Sequence, residues 1–429
     1  MLLIEADGKA LFAEHGIPVP AGVVVTDATG SPPPGEGPWM MAPGEGPWMV
    51  ALGAGPWMVK AQVPVGGRGK VGGIARCATA ADVSRETARI LGSRLKGHQV
   101  DACLVEQAAT GEERYLSVMV DPASYGLRVI WSAQGGVDIE QSGAASGAPL
   151  GRLCPPHPGA VSEALADLLA DEPEAWRAQV AAIGHQLAEL LIDRELALAE
   201  INPLFVSAAG CVAGDAKVVV DLNAVPRQPR IAAMIAARPA IYVDANRKLQ
   251  EGFDYVELDP DGEIGLVTTG AGLSMMLIDE LTARGARPLN FCDIRTGQMR
   301  GSPERLIRVL EWITSRGSLK AVLVNIFAGI TDLSEFATLL ATAIDNTPNL
   351  RVPVVARLVG RNADEAKRIL HERQPAMLVT EDLDEAMRRI EAIVAPGAIV
   401  APEAIVAPAA IVAPGAITAP GAIVTGRGA

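Results

Sequence analysis

From about residue 264 onward, runs rich in Val, Ile and Leu alternate with stretches whose apolar residues recur every three or four positions. The runs at 264–268, 288–291, 321–327 and 352–358 predict strands buried on both faces. The stretches at 273–284, 303–316, 334–345 and 363–371 predict helices. Strands and helices in alternation predict a doubly wound parallel sheet. The first half is less regular. A short helix is expected over 5–16, with Ala6, Ala10, Leu11 and Phe12 among polar positions. Gly16-Ile17-Pro18-Val19-Pro20 breaks it and leads into a strand at 22–26. Further strands are predicted at 59–63, 104–106, 115–121, 127–132, 198–201 and 218–221. An amphipathic helix is predicted over 175–191, with Val180, Ile183, Leu187, Leu190 and Leu191 on one face.

Two repeats interrupt this pattern. A nonapeptide, Gly35-Glu36-Gly37-Pro38-Trp39-Met40-Met41-Ala42-Pro43, recurs at 44–52 and again at 53–61. The third copy carries Lys60 where the others have Ala42 and Ala51, and it alone continues as a strand. The first two copies read as a tandem expansion looping out on the surface. A small repeat architecture is the alternative, but units this short and rich in Gly and Pro bury little. From Ile393 a hexapeptide of the form Ile-Val-Ala-Pro-Gly-Ala runs in near-copies to Val424. Its Ile/Val spacing resembles a left-handed β-helix, but there are too few units for a stable stack, so a low-complexity extension is expected.

A length of 429 residues implies two or three domains. The net charge of −13 excludes a broad nucleic-acid or anionic-membrane surface but not a local phosphate site. The cysteines, Cys77, Cys103, Cys154, Cys211 and Cys292, contain no CxxC pair, which suits reduced thiols in a cytoplasm and no zinc site. The amino terminus has no basic region followed by an apolar run, as a signal peptide would, and proline every sixth residue spoils the apolar tail as a membrane helix.

Four segments carry candidate chemistry. In Lys60-Ala61-Gln62-Val63-Pro64-Val65-Gly66-Gly67-Arg68-Gly69-Lys70, a strand lysine precedes a loop whose glycines let backbone amides approach phosphate oxygens. Arg68 and Lys70 add donors and charge. It is not a Walker A loop, and composition alone does not separate it from a mobile basic turn. Glu106, at a strand end, and Glu113 offer carboxylates for a nucleoside, or stand as solvated loop acids. Glu200-Ile201-Asn202-Pro203-Leu204, followed by Asp215 and Lys217, offers the hard oxygens that nucleotide-bound Mg²⁺ needs, or is an Asn-Pro turn with an exposed Asp. Thr269-Gly270-Ala271-Gly272 and Asn325-Ile326-Phe327-Ala328-Gly329-Ile330 stand at strand-to-helix junctions, where free N–H groups bind anions or where glycine serves close packing.

These segments in this order, with Gly136-Val137-Asp138-Ile139-Glu140, resemble the succinate–CoA ligase beta subunit and its malate–CoA ligase relative. The resemblance runs over roughly 2–392 apart from the nonapeptide expansion, is weak at about 141–180, and is absent from the tail. It implies an ATP-grasp domain over 1–230, a flavodoxin-like domain over 240–392, and an added tail over 393–429. It implies that Lys60, Gly67, Arg68 and Gly69 hold the phosphates of ATP, and that Glu106, Ala109 and Glu113 line the nucleoside pocket. Asn202 and Asp215 would hold Mg²⁺, Glu200 would contact a phosphohistidine, and Thr269, Ala328, Gly329 and Ile330 would take the acid. The implied partner is an alpha-type subunit bearing that histidine and most of the CoA site, since His15, His98, His157, His185 and His371 lie outside the matched motifs. Two positions and one segment depart from the family pattern: Thr269 replaces Asn, Ala328 replaces Gly, and a Gly-rich segment becomes Arg295-Thr296-Gly297-Gln298-Met299-Arg300. The two arginines would serve a larger or more charged acid, or are surface charges. A non-catalytic nucleotide-binding subunit and an ATP-grasp carboxylate–amine ligase are the competing readings. Retention of both metal-ligand candidates argues against the first, and the second-half domain against the other.

Overall fold

The computed structural model describes residues 1–26, 54–136, 150–299 and 301–395. The first two nonapeptide copies, positions 137–140 of the GVDIE motif, Arg300 and the tail beyond 395 lie outside the described residues. The chain divides into two compact units, Met1–Asn246 and a second beginning at Arg247.

The first unit opens with helix α1 (Glu5–Glu14), in which Glu5, Asp7 and Lys9 are buried as fully as Leu11 and Phe12. These three polar positions therefore face protein, not water. One antiparallel sheet has the order β1 (Gly22–Val25), β4 (Cys103–Gln107), β2 (Trp57–Ala61), β3 (Ile74–Cys77). Val23, Val59 and Val105 on its inner face pack with Val83 and Ile90 of α2 (Ala80–Ile90). Thr79 starts α2: its hydroxyl accepts from the Asp82 N–H at 3.1 Å while Asp82 accepts from the Thr79 N–H at 3.0 Å.

The second sheet contains β5 (Glu112–Asp121), β6 (Gly126–Ser132), β7 (Leu150–Cys154), β8 (Leu196–Ser207), β9 (Gly210–Ala213) and β10 (Lys217–Val220). Its order is β9-β8-β5-β6-β7, with β10 pairing β8 beside β9. Helix α3 (Pro158–Leu168) and helix α4 (Glu174–Asp193) follow β7, and α4 buries the apolar face expected for 175–191. Strand β8 is much longer than the expected 198–201. It carries on through Pro203 because its register with β5 shifts between Ile201 and Leu204, and that bulge accommodates a residue with no N–H to donate. Helices α5 (Pro229–Ala237) and α6 (Val243–Glu251) lead out of the unit.

The second unit contains β11 (Asp254–Glu257), β12 (Ile264–Thr268), α7 (Ala271–Ala283), β13 (Asn290–Asp293), α8 (Glu304–Thr314) and β14 (Ala321–Ala328). There follow α9 (Leu333–Asp345), β15 (Val354–Gly360), α10 (Ala363–Arg373), β16 (Leu378–Thr380) and α11 (Leu383–Val394). Strands β12-β14-β15-β16 are parallel. Strand β13 departs from expectation, since its ladder runs antiparallel to β11. It still lies along β12, because the Asn290 carboxamide stands in for a peptide group. Its Oδ1 accepts from Leu266 N–H and its Nδ2 donates to Leu266 C=O, both at 2.9 Å. Leu289 N–H to Ile264 C=O and Ile294 N–H to Thr268 C=O complete the seam. Counting from β12, the spatial order is therefore 2-1-3-4-5, the flavodoxin-like arrangement.

Helices cover both faces of this sheet. Val267, Val322 and Val324 face Leu306 and Ile313 of α8 and Phe336 of α9. Leu266, Leu323 and Val355 face Leu277 and Leu281 of α7 and Ile390 of α11. Each such side chain, fully buried, contributes about 1.5–3 kcal/mol. A Cβ at Gly265 would come within 2.3 Å of Ile313 Cγ2, so α8 sits this close only on glycine.

Candidate nucleotide and acid sites

In β2 the alternation turns Val59 into the core and Lys60 to the opposite face. The neighbouring strand β4 places Glu106 opposite Met58, diagonal to Lys60. The basic loop then leaves β2. Its backbone is exposed at Gly66, Gly67 and Gly69, while Arg68 between them is buried. Gly67 has φ +69°, a conformation glycine adopts without the cost that a Cβ imposes. Arg68 folds back under the loop: its C=O accepts from Gly73 N–H at 2.9 Å, and its Nη1 donates to Ala61 C=O at 2.9 Å.

Lys60 and Arg68 meet a set of charges drawn from distant parts of the chain. Lys60 Nζ lies 2.7 Å from Glu5 Oε1 and 2.8 Å from Glu106 Oε1, and donates to Gly214 C=O at 2.6 Å. Lys9 Nζ lies 2.8 Å from Glu5 Oε1 and 2.6 Å from Glu106 Oε2. Arg68 Nη2 joins Glu5 Oε2 at 2.7 Å and Asp215 Oδ1 at 3.1 Å. Three cations thus face three carboxylates, and the charges cancel. Burial pushes the Glu5 carboxyl up, but Lys60, Lys9 and Arg68 outweigh it and hold the group well below the usual carboxylate range. Burial likewise works against charge on Lys60 and Arg68, yet the carboxylates around them win and raise both. Glu5, Lys60 and Arg68 therefore stay ionised.

Asp215 is its outermost member, with 30% of its side chain exposed against 0% for Glu5. Gly214 N–H donates to Pro203 C=O at 2.9 Å, which ties the segment bearing Asp215 to the segment bearing Asn202. Asn202 Oδ1 accepts from Gly136 N–H at 2.7 Å, and Gly135 N–H reaches Glu113 C=O at 3.2 Å. Asn202, Glu113 and the Gly135-Gly136 pair just after β6 therefore come together. Among the described residues no three His, Cys, Asp or Glu form a metal-binding group. A nucleotide-borne Mg²⁺ needs only one or two protein oxygens, and an amide oxygen plus a carboxylate is a hard donor set that suits it.

The carboxylate of Glu106 is neither a solvated loop acid nor free to reach a nucleoside hydroxyl, since Lys9 and Lys60 occupy its oxygens and 1% of the residue is exposed. Glu113 is exposed on β5, and Ala109 is half-buried just past β4. Glu200 sits centrally in β8 between Ser117 on β5 and Lys217 on β10. It accepts from Tyr115 Oη at 3.1 Å and Lys217 Nζ at 3.3 Å. Burial raises its carboxyl above the usual range, with Lys217 opposing.

The acid-site candidates lie in the second unit. Thr269 is half-buried, and Gly270, at φ +87°, donates its N–H to Asp293 Oδ1 at 2.9 Å just before α7 begins. Ala328, the last residue of β14, is buried; beyond it Gly329 is exposed and Ile330 92% exposed. Register sets Thr268, Asn325, Arg357 and Thr380 in one row across the sheet. Asn325 Oδ1 accepts from Arg357 Nη1 at 3.1 Å, while its buried Nδ2 has no hydrogen-bond partner among the described residues. Arg295 is paired, its Nη2 lying 2.7 Å from Asp254 Oδ2. Sequence reasoning missed Glu5, Lys9 and Arg357. The one local signal for the first two is their i,i+4 spacing on α1.

The family model described as ATP-grasp domain matches residues 43–206, and the one described as CoA-ligase matches residues 267–391. The ATP-grasp expectation for the first half holds, and the second half, expected to be flavodoxin-like, matches the CoA-ligase model. The chain is 33% identical over 410 residues to the succinate–CoA ligase [ADP-forming] subunit beta of Xylella fastidiosa, covering 91% of this chain and 98% of that protein. The protein of the same name from Thioalkalivibrio sulfidiphilus is 36% identical over 409 residues, covering 92% and 100%. Among solved structures, ATP citrate lyase from Methanothrix soehngenii, in complex with citrate and coenzyme A, superposes with a TM-score of 0.66 at 16% identity. That match covers 91% of this chain and 98% of the other and concerns the fold.

Proposed function

The chain belongs to the succinate–CoA ligase beta-subunit family, and from that premise we propose that it is the nucleotide-binding subunit of an ADP-forming acid–CoA ligase. In this reading it binds Mg-ATP in the first unit and works with an alpha-type subunit that supplies a histidine and most of the CoA site. ATP passes its terminal phosphoryl group to that histidine, releasing ADP. The group then moves to a carboxylate of a small acid, and the CoA thiol displaces phosphate to leave the thioester.

The observation that carries the reading is the convergence of Lys60, Arg68 and Asp215 beside a glycine loop with exposed backbone. Lys60 and Arg68 supply positive charge, and the amides at Gly67 and Gly69 supply donors, for a triphosphate whose transfer depends on positioning and charge neutralisation. Asn202 and Asp215 would hold Mg²⁺, which supplies charge neutralisation on the phosphates when bound. Glu113 and the chain around Glu106 and Ala109 border the nucleoside. Glu200, held by Tyr115 and Lys217, faces the incoming phosphohistidine. In the second unit Thr269 and the Ala328-Gly329-Ile330 turn receive the acid. Among the described residues no helix is long and apolar enough to cross a membrane, and the five cysteines are free, burial raising Cys103 to about 12 and Cys211 to about 11. Inert, reduced thiols fit work in a cytoplasm.

The test is to co-express the chain with an alpha-type partner and measure ATP- and CoA-dependent thioester formation over succinate, malate, citrate and related acids. Transfer of label from γ-labelled ATP to the partner, with ADP released, is the expected first step. Absence of any Mg-nucleotide affinity, with or without the partner, would count against the reading.

A further inference from the structure

We infer that Glu5 is a positioning residue for the nucleotide site, holding Lys60 and Arg68 at a fixed separation from the amino-terminal helix. This rests on the nucleotide reading above. Within the cluster, Glu106 neutralises Lys60 and Asp215 neutralises Arg68, but Glu5 contacts both cations. One oxygen, Oε1, meets Lys60 at 2.7 Å and the other, Oε2, meets Arg68 at 2.7 Å. The width of a single carboxylate therefore sets how far apart the strand lysine and the loop arginine stand. Glu5 itself has no exposed side chain and cannot touch a ligand, so its effect passes through the two cations.

The helix that carries Glu5 is pinned on several sides. Met1 and Leu3 bond to Val220 and Val218 of β10 at 2.7 and 2.9 Å. Ala6 N–H donates to Gln62 Oε1, and Ile4 N–H to Tyr242 Oη, each at 2.9 Å. Tyr242 in turn donates to Asp7 Oδ2 at 2.6 Å. Gly8 packs so closely on the residue leading into β10 that a Cβ there would lie 3.1 Å from Ala216 Cβ. Lys9, one turn on, grips Glu5 and Glu106 together. The two carboxylates on Arg68 differ accordingly: Asp215 is partly exposed and bonded at 3.1 Å, Glu5 enclosed and bonded at 2.7 Å. An arriving phosphate can displace the outer partner while the inner one keeps the guanidinium in place.

The competing explanation is that Glu5 only balances buried charge. The test compares wild type with Glu5→Gln, the double variant Glu5→Gln/Lys9→Met, and Lys60→Met as control. Calorimetry measures binding of the magnesium complex of a non-hydrolysable ATP analogue to the full chain, and thermal unfolding measures stability. Glu5→Gln should weaken the analogue about tenfold, the scale of one charge-assisted hydrogen bond. In the assembled enzyme KM for ATP should rise, while KM for the acid and for CoA stays unchanged. The double variant keeps the cluster neutral, so its Tm should return towards wild type while the analogue still binds weakly. Recovery of affinity together with Tm would reduce Glu5 to charge balance and overturn the inference, as would wild-type affinity in Glu5→Gln. If Lys60→Met also binds normally, the nucleotide reading fails instead. Should Glu5→Gln not fold, the double variant carries the comparison alone.

Discussion

Replacing Lys60 with Met keeps most of the side-chain volume and removes one ammonium from the buried cluster. What remains is Lys9 and Arg68 against Glu5, Glu106 and Asp215, an excess of one negative charge. Three contacts are lost, to Glu5, Glu106 and the Gly214 carbonyl. Breaking a buried ion pair from one side costs about 3–5 kcal/mol, most of it the charge left without a partner. The lower end applies, because Lys9 still touches both Glu5 and Glu106 and Arg68 still touches Glu5. A loss of about 3 kcal/mol in a unit of this size lowers Tm by about 6–12 °C. That falls short of the 5–15 kcal/mol that typically holds a domain together, so folded protein should persist at 25 °C. Thermal unfolding of the full chain reads the stability term, and transfer of labelled phosphate to the co-expressed partner reads the chemistry. Labelling should vanish at temperatures where the variant is fully folded. The added change Glu106→Gln restores neutrality and should recover most of the lost Tm without restoring labelling. Unchanged labelling in the folded single variant would refute the assignment of Lys60 to the phosphates, and an unchanged Tm would refute the cluster energetics.

Asp215→Asn should behave in the opposite way: the carboxylate is partly exposed and bonded at 3.1 Å, so stability falls by about 1 kcal/mol or less. The magnesium needed for half-maximal labelling should nevertheless rise about tenfold or more, and a magnesium titration checks it. Burial pushes the Asp254 carboxyl up, but hydrogen bonds from Lys248 and Arg295 outweigh it and leave the group below its ordinary value. Its contribution is therefore complete above the unfolded carboxyl's pKa and lost as pH falls through the depressed native one. Asp254→Asn should lower the stability of the second unit at neutral pH, with the two stability curves converging in acid; a constant gap in pH-dependent denaturation would contradict this. Asn290→Ala strands the Leu266 N–H and C=O between β12 and β13, at about 1–3 kcal/mol for each group left unsatisfied. Urea unfolding should show the loss, and amide exchange should quicken along β12.

How far each feature could be read from the chain follows from the range of the interactions behind it. The parallel sheet of the second unit was legible because apolar strands and helices of regular period announce themselves within a dozen residues, and helices cover both faces as that pattern requires. The basic glycine loop was legible too, since such a loop is a run of consecutive residues, and Lys60 stood out as the change in the third repeat. Partners were not. Lys60 meets a glutamate 55 positions away, Lys9 one 97 away and Arg68 an aspartate 147 away, and only strand pairing and the docking of α1 bring them together. For the same reason Glu106 could pass for a solvated acid and Glu5 for a polar helix position, when both are enclosed. Likewise, composition showed Asn290 as one polar residue in a predicted strand, and the fold makes its amide a substitute for the main chain. Chain order determines local shape and which chemical groups are present; whether a charge is paired, dry or free to meet a ligand depends on long-range packing, because desolvation and Coulomb attraction act between neighbours in space.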